Sequence, residues 1–196
     1  MSGLTEALSR AAIYGMFSNL FYRPERGMEN TIQAFLSIAG QERGEPLDMP
    51  ADTDRLEIEY NRLFVGPGHV PCPPYESVYR KDRPLMERGL VMGPSTIDVQ
   101  KRYGEAGLQK SKDFKDLPDH IAVELEFMRY LCAKEADEGP GKWRTMQVEF
   151  LNHHVKPWYL EFAECVKKHT TGFYAVLADE LAKFLKEEIE DICEGR

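Results

Sequence analysis

The chain has 196 residues, 25 basic against 33 acidic side chains and a formal net charge of −8, with 42% hydrophobic and 11% aromatic residues. Such a chain can bury a core without staples, and its composition excludes disorder as the main state. The acidic balance excludes a general nucleic-acid binder, which needs clustered Lys and Arg to neutralise phosphates, and suits a cationic partner.

No apolar run approaches the roughly 20 residues of a membrane span, so membrane insertion is not expected. The opening segment, Met1-Ser2-Gly3-Leu4-Thr5-Glu6, has no basic stretch and no apolar signal core. The expected location is therefore cytoplasmic. Cys72, Cys132, Cys165 and Cys193 are far apart and form no C-x-x-C pair. This excludes a zinc knuckle or thioredoxin motif and reads as free thiols.

Leu4, Leu8, Ala12, Met16 and Leu20 recur every four residues, with Ile13, Phe17 and Phe21 beside them. This predicts a first helix with a wide apolar stripe, stopped by Pro24. Met28, Ile32, Phe35, Leu36 and Ala39 predict a second helix with Gly40 just past its end, and residues 41–51 read as a loop. Asp54 and Glu57 resemble a capping box for a third helix carrying Leu56, Tyr60, Leu63 and Phe64, ended by Gly66-Pro67-Gly68. Pro71, Pro73 and Pro74 then predict an extended path through Tyr75 to Tyr79. Short helices are expected over 84–91 and 95–106, separated by Gly93-Pro94.

Asp116 is the expected cap of a long helix with Pro118 in its first turn. Leu117, Ile121, Leu125, Met128 and Cys132 face inward, and Gly139-Pro140-Gly141 ends it. The next helix carries Met146, Phe150, Leu151, His154, Trp158 and Phe162, and Pro157 should kink it. Leu177, Leu181, Phe184, Leu185 and Ile192 mark the last helix. No strand-like alternation, repeat or composition shift is visible. The expectation is a single all-α domain over residues 1–196.

Four groups of residues could carry chemistry. Asp119, His120 and Glu124 sit on one helix start, with His153 and His154 on a later helix, so a helical metal site is geometrically conceivable. It has neither an H-E-x-x-H motif nor a pair of E-x-x-H motifs, and a core role for His154, beside Trp158, competes with it. Gly139-Pro140-Gly141-Lys142 lacks the spacing and hydroxyl of a phosphate loop. Cys72 near His69 and Ser77 show no sign of activation, and residues 186–191 read as a solvated acidic face. The proline-aromatic loop has two readings: either its tyrosines plug gaps between helices, or it lines a peptide groove.

The segments Glu59-Tyr60-Asn61-Arg62-Leu63-Phe64-Val65-Gly66-Pro67, Pro73-Pro74-Tyr75-Glu76-Ser77-Val78-Tyr79 and Leu117-Pro118-Asp119-His120-Ile121-Ala122-Val123-Glu124-Leu125 occur in this order. Tyr103 and Gly107-Leu108 lie between the last two, and His154, Trp158 and Phe162 follow them. In this the chain resembles the TorD/DmsD/NarJ family of chaperones that mature molybdenum-cofactor oxidoreductases. The resemblance implies an all-helical, non-catalytic protein without a cofactor. Its partner would be the catalytic subunit of a molybdenum-containing oxidoreductase, bound through its twin-arginine signal peptide and its apo form until cofactor insertion. It implies a peptide-binding set of Leu63, Phe64, Pro74, Tyr75, Glu76, Asp119, His120 and Glu124, with His154 and Trp158 structural. Carboxylates beside apolar side chains suit a peptide that joins two arginines to an apolar stretch. The alternative is a helical metal-dependent hydrolase using Asp119, His120, Glu124 and His154. Both a monomer and a domain-swapped dimer fit the loops.

Overall fold

A computed structural model describes residues 2–47, 49, 52–84, 92–109, 116–193 and 195. Among the described residues the regular structure is helical: α1 (Ser2–Phe21), α2 (Glu29–Arg43), α3 (Thr53–Tyr60), α4 (Glu76–Tyr79), α5 (Pro94–Glu105), α6 (Ile121–Glu138), α7 (Gly141–Phe150), α8 (Tyr159–His169) and α9 (Phe173–Glu188). Three helices do not stop but widen into a π turn, at Asn61–Val65, Leu151–Val155 and Ile189–Cys193. The all-α expectation is met. The short helix expected over 84–91 falls almost wholly outside the described residues.

α1 packs along the length of α6, and α8 and α9 pair as a hairpin. One continuous core joins them. At its centre Phe64 meets Tyr60, Tyr174 and Phe162, while Trp158 stacks on Tyr79. Edge-to-face and offset ring contacts of this kind add about 0.5–1.5 kcal/mol each beyond area burial.

The buried face of α1 keeps Phe17, Leu20 and Phe21 of the expected stripe and is rotated away from the rest of it. Ala7, Arg10, Ala11, Tyr14, Phe17, Ser18 and Phe21 point inward. Leu4 and Leu8 are half exposed, and Ala12 and Ile13 also face solvent. Arg10 occupies the core side because its partners are there. Its guanidinium donates to Glu188 at 2.8 Å and to Gln147 at 2.7 Å, and lies 3.3 Å from Glu135. Tyr14 donates to the same Glu188 at 2.9 Å. Glu188, expected on a solvated face, is thus buried and links α9 to α1.

Several boundaries also shift. α2 runs through Gly40 to Arg43 and ends at Gly44, whose φ of 72° needs no Cβ. Gly40 is required for space instead, since a Cβ there would lie 2.9 Å from the Glu45 carbonyl oxygen. Asp52, not Asp54, caps α3 by accepting from Arg55 N at 3.1 Å. The extended path through the prolines stops at Tyr75, and residues 76–79 form one helical turn. Pro157 does more than kink its helix. Residues 156–158 are a turn, and α8 begins afresh after it. The reading of free thiols is corrected for two of the four cysteines: Cys72 and Cys165 are joined as a disulfide with Cα atoms 5.8 Å apart.

Candidate functional site

The proline loop and the segment before α6 lie edge to edge. Tyr75 and His120 form an isolated antiparallel bridge. Ile121 N donates to Pro74 O at 2.8 Å, and Glu76 N donates to Asp119 O at 2.9 Å. The Asp119 carboxylate accepts from Ser77 N at 3.1 Å, at the start of α4. Pro73 and Pro74 cannot donate, so Pro74 supplies the carbonyl and Glu76 the amide of this pairing.

His120, not Asp116, caps α6. Its Nδ1 accepts from Ala122 N at 3.1 Å, while its ring lies parallel to Tyr22 and edge-on to Tyr75. Burial lowers the His120 pKa to about 4, against the opposing pull of Asp116 and Asp119. A neutral ring is also what the cap requires, because a protonated Nδ1 cannot accept.

Behind this junction lies a buried polar cluster. Glu76 bonds Arg80 and comes within 3.0 Å of His154 Nδ1. Arg80 in turn donates to the His153 carbonyl at 2.8 Å and to Asp82 at 2.7 Å. Trp158 Nε1 donates to Glu124 at 3.2 Å. Burial, and after it the neighbouring Glu76 charge, push the Glu124 carboxyl well above the usual carboxylate range. The other Glu124 oxygen and one Asp119 oxygen have no hydrogen-bond partner.

The residues singled out from sequence for peptide binding therefore fall into two groups. Pro74, Tyr75, Glu76, Asp119, His120 and Glu124 come together at one junction. Leu63 and Phe64 belong to the aromatic core. Of all eight, only Tyr75 keeps appreciable surface, and Glu76, Asp119 and Glu124 have none. Tyr75 donates to Asp116 at 3.1 Å. The ligand atoms of the four residues of the metal-hydrolase alternative do not gather at one point. Among the described residues no group of His, Cys and carboxylate ligand atoms forms there. His120 Nδ1 is engaged by a backbone amide and His154 Nδ1 by Glu76.

The open surface lies on the other side of the His120 junction. A groove of about 610 Å3 runs between α5 and α6, lined by Tyr103, Leu108, Val123, Phe127 and Tyr130 with Glu126 and Arg129 also at its walls. Tyr103 donates to Pro118 O at 2.7 Å, which ties the groove floor to the segment carrying Asp119 and His120. Tyr22 donates to Glu126 at 3.0 Å, and a smaller hollow of about 310 Å3 opens beyond Tyr22 towards Arg23, Glu25 and Met28. Val123, Glu126, Phe127 and Tyr130 are spaced as i, i+3, i+4 and i+7. This second face of α6 was legible as a helical stripe, but the stronger inward stripe of Ile121, Leu125 and Met128 masked it.

Comparison with known proteins agrees with this architecture. The sequence profile described as the nitrate reductase delta subunit matches residues 23–164. A chaperone protein TorD of Vibrio parahaemolyticus is 26% identical, over 90% of this chain and 91% of its own length. A chaperone protein TorD of Shewanella oneidensis is 28% identical, over 96% of this chain and 92% of its own. A crystal structure described as that of a redox enzyme maturation protein from Archaeoglobus fulgidus superposes with a TM-score of 0.59 at 29% identity, covering 90% of this chain and 93% of that one. With the family profile spanning most of its length and the fold shared, the chain belongs to the TorD/DmsD/NarJ family of molybdoenzyme-maturation chaperones.

Proposed function

We propose that this chaperone binds the twin-arginine signal peptide of the catalytic subunit of a molybdenum-cofactor oxidoreductase, and holds the apo-subunit in the cytoplasm until cofactor is inserted. It does so by binding alone, without turnover. The observation that carries this reading is the groove between α5 and α6: an apolar trough with the exposed Glu126 carboxylate at its wall, 3.8 Å from Arg129, and with Pro118 joining it to the segment that carries Asp116 and His120. An apolar leader segment fits the trough, and its arginines reach the carboxylates at the rim. In this arrangement Glu76, Asp119 and Glu124 act from behind. They hold Tyr75 and the His120 cap in place, and an arginine would reach them only if the proline loop moved.

The test is leader-peptide binding followed by fluorescence anisotropy. Tyr130→Ser and Leu108→Ser should each weaken binding on the order of tenfold through lost apolar contact. Glu126→Lys should weaken it a few-fold, as expected of an exposed charge pair. A leader with both arginines changed to Gln should bind wild type and Glu126→Lys more nearly alike, because the same pair has been removed from the other side. Folded variants that bind the leader as wild type does would place the peptide elsewhere.

A further inference from the structure

His169 closes the last turn of α8, and its Nδ1 lies 3.5 Å from Cys72 Sγ and 3.8 Å from Cys165 Sγ. The two sulfurs and the imidazole all fall within 4.8 Å of one another, which no other group of His, Cys and carboxylate ligands does among the described residues. Two separate pieces of chain build this cluster. Cys72 sits on the loop after α3, where its N–H donates to Leu63 O at 3.0 Å. Cys165 and His169 are four apart on α8, the spacing that places two side chains on one helix face. Cys72 is fully buried, Cys165 is half-buried and His169 is exposed, so the cluster opens to solvent on one side.

We propose that the reduced form of this cluster is a metal site, taking one borderline-soft divalent cation of the zinc class through Cys72 Sγ, Cys165 Sγ and His169 Nδ1. Two thiolates and an imidazole are a donor set that zinc prefers, and the open side leaves the fourth tetrahedral position to water. Zn–S bonds near 2.3 Å set the sulfurs about 3.8 Å apart at the tetrahedral angle. Two cysteines with Cα atoms 5.8 Å apart can reach that separation by side-chain rotation. His169 Nδ1 now lies 2.8 Å from the Cys165 carbonyl, and it exchanges this contact for the cation.

The balance of the switch is simple. A dithiol reductant opens the disulfide by exchange: one of its thiols attacks a protein sulfur, and its second resolves the mixed disulfide. The protein gains two thiols, the reductant becomes a disulfide, and two electrons have passed. The cation then displaces both thiol protons. In either state the loop stays tied to α8, across 93 residues of sequence, first by a covalent bond and then by a cation.

The experiment is titration of the full chain with Co2+ and Zn2+, after dithiol reduction and removal of the reductant. The reduced protein should take one Co2+, with thiolate-to-cobalt absorption in the near ultraviolet, and Zn2+ should displace it. Zinc should also raise the urea midpoint of the reduced protein. The oxidised protein should show neither effect. His169→Ala, at the exposed end of α8, should keep the thiolate band but bind at least tenfold more weakly. The double variant Cys72→Ser/Cys165→Ser should lose the band. Absence of the band in reduced wild type, its persistence in the double variant, or undiminished affinity in His169→Ala would each overturn the proposal. The comparison of oxidised with reduced wild type needs no substitution and so does not depend on a variant folding.

Discussion

His120 carries two roles that share one protonation state. It caps α6 only while its Nδ1 is free to accept, and burial keeps the ring neutral down to about pH 4 against an ordinary value of 6.5. An unfolded histidine takes up its proton at the higher value, so the unfolded chain binds more protons across that window. The contribution of His120 to stability is therefore complete above pH 6.5 and declines as pH falls towards 4. His120→Asn keeps a capping oxygen and should remove most of this decline, read as urea midpoints at pH 7 and 5. His120→Ala should cost about 1 kcal/mol for the lost cap, and more as packing against Tyr22 and Tyr75 goes. Glu124 has the opposite sign. Burial pushes its carboxyl well above the usual range, whereas the unfolded side chain ionises above 4.5, so its contribution falls as pH rises. Glu124→Gln stays neutral and can still accept from Trp158. It should gain on wild type between pH 5 and 8, and a constant difference across that range would mean the carboxyl is ionised in the folded protein.

At the scale of the elements, α1 is decided by one residue pair. Arg10 and Glu188 are 178 positions apart and bury each other between α1 and α9. Arg10→Ala should destabilise by about 3–5 kcal/mol, because it leaves Glu188 buried without its cation. Phe17→Ala should cost a similar amount, about 3–5 kcal/mol, through the cavity left beside Phe35 and Phe184. Leu4→Ser and Leu8→Ser should stay within about 0.5 kcal/mol of wild type, since both side chains are half exposed. Were the Leu4-Leu8 row the buried face, the order of Arg10 and the two leucines would reverse, and denaturant melts of these three variants distinguish the two. The π turns at the ends of α3, α7 and α9 shift the helix register without breaking the chain, and they carry the core residues Leu63, Phe64, Leu151 and Ile189.

For the whole molecule, one core runs from α1 to α9. We expect the chain to unfold as a single unit. Far-UV circular dichroism and tryptophan fluorescence should trace the same transition, since Trp143 and Trp158 sit in different parts of that core. Two separated transitions would divide the chain into two domains. The net charge of −8 should speed capture of an arginine-bearing peptide. Raising salt well beyond physiological strength should weaken wild-type leader binding, and should affect the arginine-free leader much less. Equal salt sensitivity for the two leaders would remove the rim carboxylates from the recognition.

Local features alone determined that the protein is helical, the order of its helices, and most of the breaks between them. Apolar period, Pro24, Gly66-Pro67-Gly68 and Gly139-Pro140-Gly141 act within a few residues of themselves, so they can be read without knowing what lies opposite. That the proline loop and the Asp119-His120 segment are neighbours was legible only as a resemblance; the fold brings them together through backbone hydrogen bonds. Tertiary structure decided which face of each helix is inside and which carboxylates are surface. A leucine stripe and an arginine-tyrosine stripe on α1 compete for the core, and Glu188, Glu135 and Gln147, all distant in sequence, settle it by supplying partners for Arg10. Glu76, Asp119 and Glu124 look like ligand groups in a linear reading because charge suggests solvent. In the fold Glu76 pairs with Arg80, Asp119 accepts from Ser77 N, and Glu124 accepts from Trp158 with its carboxyl pushed towards the neutral form.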